Sequence, residues 1–305
     1  MEKFEVTILG CGSATPSHRH YTSSQVVNIR EKLFMVDCGE GTQIQIRRSH
    51  IAFSKINHIL ISHLHGDHCF GLIGMLSSFG LLGRTAPLYI HAPADMWNIL
   101  EKELAFYCSE LEYEAVFQGF DPTAIQTIYD DRSVRIDTIP LKHRIPCAGF
   151  LFREKPVADH LNREMADFYK VPQWDFGRIK DGGDFTMPDG TVIPHSRLTC
   201  PANPPRSYAY CCDTEYNPEM VSQLKGVNLI YHDSTYSAND VERARLHHHS
   251  TAVEAARIAL AANASHLALG HFSARYDDES ILLREAQEIF PDTVLAKEGL
   301  TIPVV

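Results

Sequence analysis

Three things are scarce in this 305-residue chain. No apolar run approaches the ~20 residues that a membrane-spanning helix needs, and the N-terminus, MEKFEVTILG, lacks the long apolar stretch of a secretory leader. That argues against a membrane role and predicts a soluble, cytoplasmic protein. The eight cysteines form no C-x-x-C pair and no regular spacing, and Cys211 and Cys212 are adjacent, which is awkward for a disulfide. A disulfide scaffold is excluded, and free thiols in a reducing compartment are expected. Positive charge is also short, with 28 Lys and Arg against 38 Asp and Glu, so the surface as a whole is no generic nucleic-acid binder. No repeat or low-complexity segment is visible. What is present is a chain 44% hydrophobic and rich in histidine, 17 residues, long enough for one large domain or two modest ones.

The histidines concentrate. Ile56 to His68 reads INHILISHLHGDH. The apolar Ile59-Leu60-Ile61 predicts a buried strand. It runs into four metal-ligand types within six residues: His63, His65, Asp67 and His68. Gly66 is expected to let the backbone turn tightly. On an extended strand end His63 and His65 share a face, while Asp67 and His68 lie past the turn. One metal can take the first pair and a second metal the other. His with Asp suits zinc or another borderline divalent ion. A polar loop with chance histidines does not account for H-x-H-x-D-H directly after an apolar strand.

Along the rest of the chain, strands are predicted over Phe4 to Leu9, Ser23 to Ile29, Lys32 to Val36, Leu88 to His91, Ser133 to Leu141, Ser207 to Cys212, Val227 to His232 and Leu267 to Gly270. Helices are predicted over Gln43 to Arg48, Gly71 to Leu82, Asp95 to Phe106 and, from the T-x-x-E capping box of Thr251 and Glu254, to about Ala262. Five strand ends deliver polar groups: the cluster, His143, Asp213, His232-Asp233 and His271. Alternating strands and helices argue for a layered α/β fold. Spacing alone leaves open one mixed sheet or two packed sheets. Residues 153 to 190 change character, with a helix near Ala158 to Tyr169 and then an extended insertion. Between residues 142 and 180 stand eight Lys and Arg against five Asp and Glu, a local surplus of three on an acidic chain. A basic arm suits capture of a phosphate backbone, whereas a solvated helix face is the plainer reading.

The cluster resembles the metallo-β-lactamase superfamily. Phe34 to Gln43 (FMVDCGEGTQ), the H-x-H-x-D-H motif, His143, Cys212-Asp213-Thr214, His249-Ser250-Thr251-Ala252 and His271 to Tyr276 (HFSARY) occur in order. Together they are similar to the short-form tRNA 3′-processing endonucleases, the ribonuclease Z family, over nearly the whole chain. The resemblance implies one domain over 1–305 with an αββα sandwich, and an inserted flexible arm over 153–190 that grips tRNA from a partner subunit of a homodimer. It implies two Zn2+ per subunit, His63, His65 and His143 on one, Asp67, His68 and His271 on the other, and Asp213 bridging. A metal-bridged hydroxide would then attack the phosphodiester of precursor tRNA, leaving a 3′-OH on the tRNA and a 5′-phosphate on the trailer. Asp67 would orient or deprotonate the water. His249, just before a helix N-terminus that is expected to lower its pKa, would donate the proton to the departing oxygen. His247 and His248 are expected at the surface. Ser273 and Arg275 can bind substrate phosphate, or Arg275 can pair with a carboxylate. The family's Gly-Pro step in the arm is replaced here by Val171-Pro172-Gln173-Trp174. Two rivals stand beside this reading: a binuclear zinc phosphodiesterase for small cyclic nucleotides or related esters, and a metal-bound RNA-binding protein without catalysis. The arm disfavours the first, and the complete ligand set disfavours the second.

Overall fold

The first half of the chain builds one sheet from β1 (Phe4–Gly10), β2 (Ser24–Ile29), β3 (Lys32–Val36), β4 (Ile56–Leu60), β5 (Leu88–Pro93) and β6 (Ala115–Phe120). The second half builds another from β7 (Thr127–Asp130), β8 (Val134–Leu141), β9 (Cys147–Glu154), β10 (Ser207–Cys211), β11 (Leu229–Asp233), β12 (His266–Gly270) and β13 (Thr293–Leu295). The last strand, β14 (Thr301–Pro303), returns to pair with β1, so each sheet has seven strands in nearly sequential order. The structure is a computed structural model that describes residues 2–305.

Local chemistry sets the strand directions. Arg30 and Glu31 both adopt positive φ, 52° and 66°, which closes the two-residue turn of the antiparallel β2–β3 hairpin. From β3 to β6 the pairs are parallel, and each crossover carries a helix or a long loop. Helices α1 (Thr42–Arg48), α2 (Gly66–Cys69), α3 (Leu72–Leu81) and α4 (Trp97–Tyr107) fill these crossovers. In β3 the side chains alternate. Phe34 and Val36 join Phe150, Phe152, Tyr208 and Tyr210 between the sheets, while Leu33 and Met35 join Leu72, Met75 and Phe79 of α3 on the outer face. The second sheet is likewise covered. After α5 (Val241–His247), α6 (Ala252–Ala261) lays Ala252, Ala255, Ala256 and Ala259 in the core beside β11 and β12, and α7 (Ser280–Gln287) follows β12. The fold is therefore mixed α/β with two packed sheets and helices outside, the αββα alternative. No helix among the described residues is long and apolar enough to cross a membrane.

Several elements escaped the sequence. β9, CAGFLFRE, is buried along nearly all its length and shows no alternation to read. β6 is half-exposed, and α7 begins at Glu279 without a side-chain cap, so no start signal marks it. β11 begins two residues later than expected and includes Asp233.

Residues 154–205 form a unit of their own. Ala166, Val171, Ile179, Phe185, Ile193 and Leu198 make its small core. The helix expected over Ala158 to Tyr169 is shorter, Arg163–Phe168, because Asn162 accepts the Met165 N–H and fixes the start there. The stretch expected to be extended is folded. The unit holds two further short helices, Phe176–Lys180 and His195–Leu198, and two small antiparallel pairs, Phe185–Thr186 with Val192–Ile193 and His160–Leu161 with Thr199–Cys200. The positive surplus of the 142–180 window does not belong to this unit as a whole, which carries six Lys and Arg against eight Asp and Glu. Three of the counted cations sit in the larger unit. Lys142 pairs with Glu219, Arg153 with Asp137, and the Arg144 guanidinium lies 3.2 Å from the His65 ring.

Candidate metal centre and catalytic site

Two loops meet where β3 and β4 end. Cys38 N–H donates to His68 O and Gly71 N–H to Cys38 O, both at 2.8 Å. The approach is so close that a Cβ on Gly71 would lie 2.2 Å from Gly39 O. Only glycine fits there. No left-handed turn is found at Gly66. This residue stands at the first position of α2 with no unusual φ, and a Cβ would strike the Phe70 ring at 2.2 Å.

The seven residues named for metal converge. His63 Nε2 and His143 Nε2 lie 3.0 and 3.1 Å from His65 Nδ1, and 3.8 and 3.6 Å from Asp213 Oδ2. His68 Nε2 and His271 Nε2 each lie 3.6 Å from Asp67 Oδ2, and 3.3 and 3.0 Å from Asp213 Oδ1. The two oxygens of Asp213 thus face two different donor groups. Burial draws His63, His65 and His143 towards the neutral form, leaving lone pairs available. Burial opposes the charged form of Asp213, yet His271 and His68 hold its carboxyl well below the usual range.

A set of outer contacts orients these rings. Asp37, at φ 57°, accepts from Ser62 N–H and Tyr210 OH and pairs with His68 Nδ1 at 2.7 Å. Thr235 Oγ1 lies 2.9 Å from His271 Nδ1, and His143 Nδ1 donates to His248 O. Ala14 N–H donates to Asp67 Oδ2 at 2.8 Å. A buried imidazole whose far nitrogen is held this way presents the near one as a ligand. The near nitrogens of His68 and His271 are buried without an aligned hydrogen-bond partner. Two orphaned nitrogens aimed at shared carboxylates fit a divalent cation better than they fit water or each other.

His249 lies at the same place, its Nδ1 2.7 Å from Asp233 Oδ2. The expected lowering of its pKa by the helix end does not hold. Burial lowers it, but the Asp233 carboxylate, with Asp213 and Asp67 beyond, pushes it up to about 9. Asp233 is in turn fixed by Thr214 N–H, Thr235 N–H and the Thr235 hydroxyl. His232, its neighbour, is a buried core histidine with Nδ1 on the Asp233 carbonyl. His247 is exposed, as expected, while His248 is half-buried and matters through its backbone oxygen. Ala14, Thr15, His65, Asp67, His143, Asp213, His249, His271 and Ser273 border a cleft of about 500 Å³. Arg275 turns elsewhere, over the Tyr236 ring and onto Asp240 at 3.6 Å.

Comparison with known proteins follows the same line. Residues 4–158 match the family model described as Anti-Pycsar protein Apyc1. The chain is 57% identical over 302 residues to a Ribonuclease Z of Bacteroides fragilis, with 99% of each chain covered. In structure it is similar to human tRNase Z, short form, with a TM-score of 0.71, 23% identity and 99% of each chain covered. It is also similar to the metallo-β-lactamase fold protein YhfI of Bacillus subtilis, with a TM-score of 0.69, 19% identity, and 99% and 100% of the two chains covered. Those two likenesses show the fold. Matched over half its length by that model and end to end by the bacterial relative, the chain belongs to the family described as Anti-Pycsar protein Apyc1 and, along its whole length, to the ribonuclease Z family of hydrolytic endoribonucleases.

Proposed function

We propose that this chain removes 3′ trailers from precursor tRNA as a zinc-dependent endoribonuclease. The observation that carries the reading is the 57% identity to Ribonuclease Z, which spans the 154–205 unit as well as the histidine centre. His63, His65 and His143 would hold one Zn2+, Asp67, His68 and His271 a second, and the two oxygens of Asp213 would be shared between them. Bound there, zinc supplies Lewis acidity towards phosphoryl oxygens and lowers the pKa of water.

The chain's own groups do the rest. Asp67, steadied by the Ala14 N–H, orients the attacking water and takes its proton. The water oxygen bonds to phosphorus as the bond from phosphorus to the tRNA 3′ oxygen breaks. His249 is protonated at neutral pH because Asp233 holds it so, and Nε2 is the nitrogen that Asp233 leaves free. It gives its proton to the departing 3′ oxygen. The products are a 3′-OH on the tRNA and a 5′-phosphate on the trailer. Ser273, at the cleft edge, contacts the phosphate, while the pairing of Arg275 with Asp240 favours a supporting part for that residue.

In the same reading the 154–205 unit docks the tRNA. The exposed Phe168 and Trp174 supply ring faces for stacking, beside Arg163 and Lys170. A second copy of the chain is the proposed partner. Leu81 and Leu82 at the end of α3, with Phe106 and Tyr107 at the end of α4, expose large apolar side chains that support a homodimer. The free cysteines support a cytoplasmic setting.

The test uses purified, zinc-loaded protein and a labelled precursor tRNA with a 3′ trailer. Cleavage next to the discriminator base, lost in His65→Ala, is the expected result. Intact precursor together with turnover of a small phosphodiester would replace this reading with the small-substrate phosphodiesterase.

A further inference from the structure

A second convergence of ligand types lies outside the centre just described. Cys11 follows β1, His20 precedes β2, and Glu298 stands between β13 and β14. Cys11 Sγ is 3.4 Å from His20 Nδ1 and 3.7 Å from Glu298 Oε1, and His20 Nδ1 is 3.2 Å from the same Oε1. Three donor atoms of three kinds therefore face one point, with Cys11 fully buried and the other two nearly so. Zinc bonds of ~2.0–2.3 Å in tetrahedral geometry separate neighbouring S, N and O ligands by about 3.3–3.6 Å. The observed triangle is within a few tenths of an ångström of that.

The surroundings fit a ligand set as well. His20 Nε2 is 3.2 Å from Glu279 Oε1, the carboxylate contact that a metal-bound imidazole makes with its far nitrogen. Arg19 pairs with Glu279 at 3.2 Å and balances that carboxylate. Tyr21 N–H holds Glu298 Oε1 at 2.9 Å. The Ala296 carbonyl, 3.7 Å from Cys11 Sγ, is at hand as a fourth ligand. A cleft of about 860 Å³ borders Glu298 beside Arg19 and Tyr21. The rival arrangement is an imidazolium clasped by Glu298 and Glu279, which needs no sulfur. In it the Cys11 thiol only donates to Glu298 Oε1 or to the Ala296 carbonyl, each 3.7 Å away.

We propose that Cys11, His20 and Glu298 hold a divalent cation, zinc by the chemistry of the donors, separate from the histidine centre. Binding converts the Cys11 thiol to a thiolate and releases its proton to solvent; thiolate and carboxylate together neutralise the ion. Its task is to pin residues 11–21 to the β13–β14 connection. That segment carries Ala14, whose N–H steadies Asp67.

Cobalt(II) tests this, because the histidine centre offers it only nitrogen and oxygen. The cobalt-loaded wild-type protein is expected to show a near-ultraviolet thiolate-to-metal charge-transfer band. Cys11→Ser removes that band and keeps the visible bands of the other site. By plasma mass spectrometry, zinc-loaded Cys11→Ser and His20→Gln hold one metal fewer per chain than wild type, whatever the total. A wild-type spectrum without the band, a band that survives Cys11→Ser, or equal metal content in all three proteins would overturn the proposal and leave the imidazolium clasp. The wild-type spectrum decides even if a variant fails to fold.

Discussion

Two sets of close-packed imidazoles lie beside β4 and just beyond its end, and they behave differently. Within the strand, His58 Nδ1 meets His91 Nε2 of β5 at 3.1 Å. Just past the strand's end stand His63, His65 and His68. Burial lowers both members of the first set, His58 to about 4 and His91 to about 3, and it lowers His63 too. The company differs. His58 lies against Phe34, Tyr89 and Tyr129, with ring centroids 5.3, 5.0 and 4.7 Å away, and the N–H of one ring meets the lone pair of the other. The acid nearest in effect, Asp131, is bound to Lys32. Around the second set stand Asp37, Asp67 and Asp213, and His68 is driven the opposite way. Burial lowers it, but the three carboxylates raise it well above the usual histidine range. Histidine density therefore does not define a cation site. Carboxylates converging on nitrogens that have no other partner do.

The sharpest way to break the comparison is Asp213→Asn. One amide oxygen cannot serve both donor groups, so both are expected to lose metal and precursor cleavage to fall to background; retention of bound zinc and activity would remove the distinction between the sets. His249→Ala comes next, with a loss of ~10²–10⁴-fold in kcat, the usual worth of a positioned acid. Asp233→Asn sharpens this role. An acid must be protonated, and Asp233, with Asp213 and Asp67 beyond it, pushes the His249 pKa up to about 9. Without the Asp233 carboxylate the alkaline limb of the rate profile moves to lower pH, whereas an unmoved limb would take the proton-donor role from His249. Smaller again is Asp37→Asn, which frees His68 Nδ1 and is expected to weaken metal binding by ~10–100-fold, read by competition with a chelator.

Asp37 and Asp233 also mark where the sequence stopped speaking. The seven centre residues were visible because each stands at a strand end or in a dense motif. The β2–β3 hairpin and the capping box of α6 were legible for the same reason, since local spacing determines them; Thr251 accepts from Glu254 N–H and Glu254 from Thr251 N–H. Asp37 meets His68 across 31 positions and Asp233 meets His249 across 16, and no local period encodes such a pairing. The expected pKa of His249 failed through that gap, since the helix terminus was in view and the pairing with Asp233 was not. The charge of the arm failed differently. A window of residues was counted as one body, and three of its cations fold elsewhere.

The smallest effect on activity, and the test from the other side, is at His58 and His91. Replacing them together by Phe and Leu is expected to leave kcat and metal content unchanged, because neither ring reaches the cleft. The change appears in acid instead. Both folded-state values lie below the unfolded value of about 6.5, so the unfolded chain binds protons that the folded one refuses. Stability from this pair is complete above about pH 6.5 and drains as pH falls towards 4 and 3, by up to about 1.4 kcal/mol per histidine per pH unit. Urea midpoints between pH 7 and 4.5 should therefore drop less steeply in the double variant than in the wild type. Equal slopes would mean that these two rings are already hydrated, and the contrast with the carboxylate-lined set would then rest on charge alone.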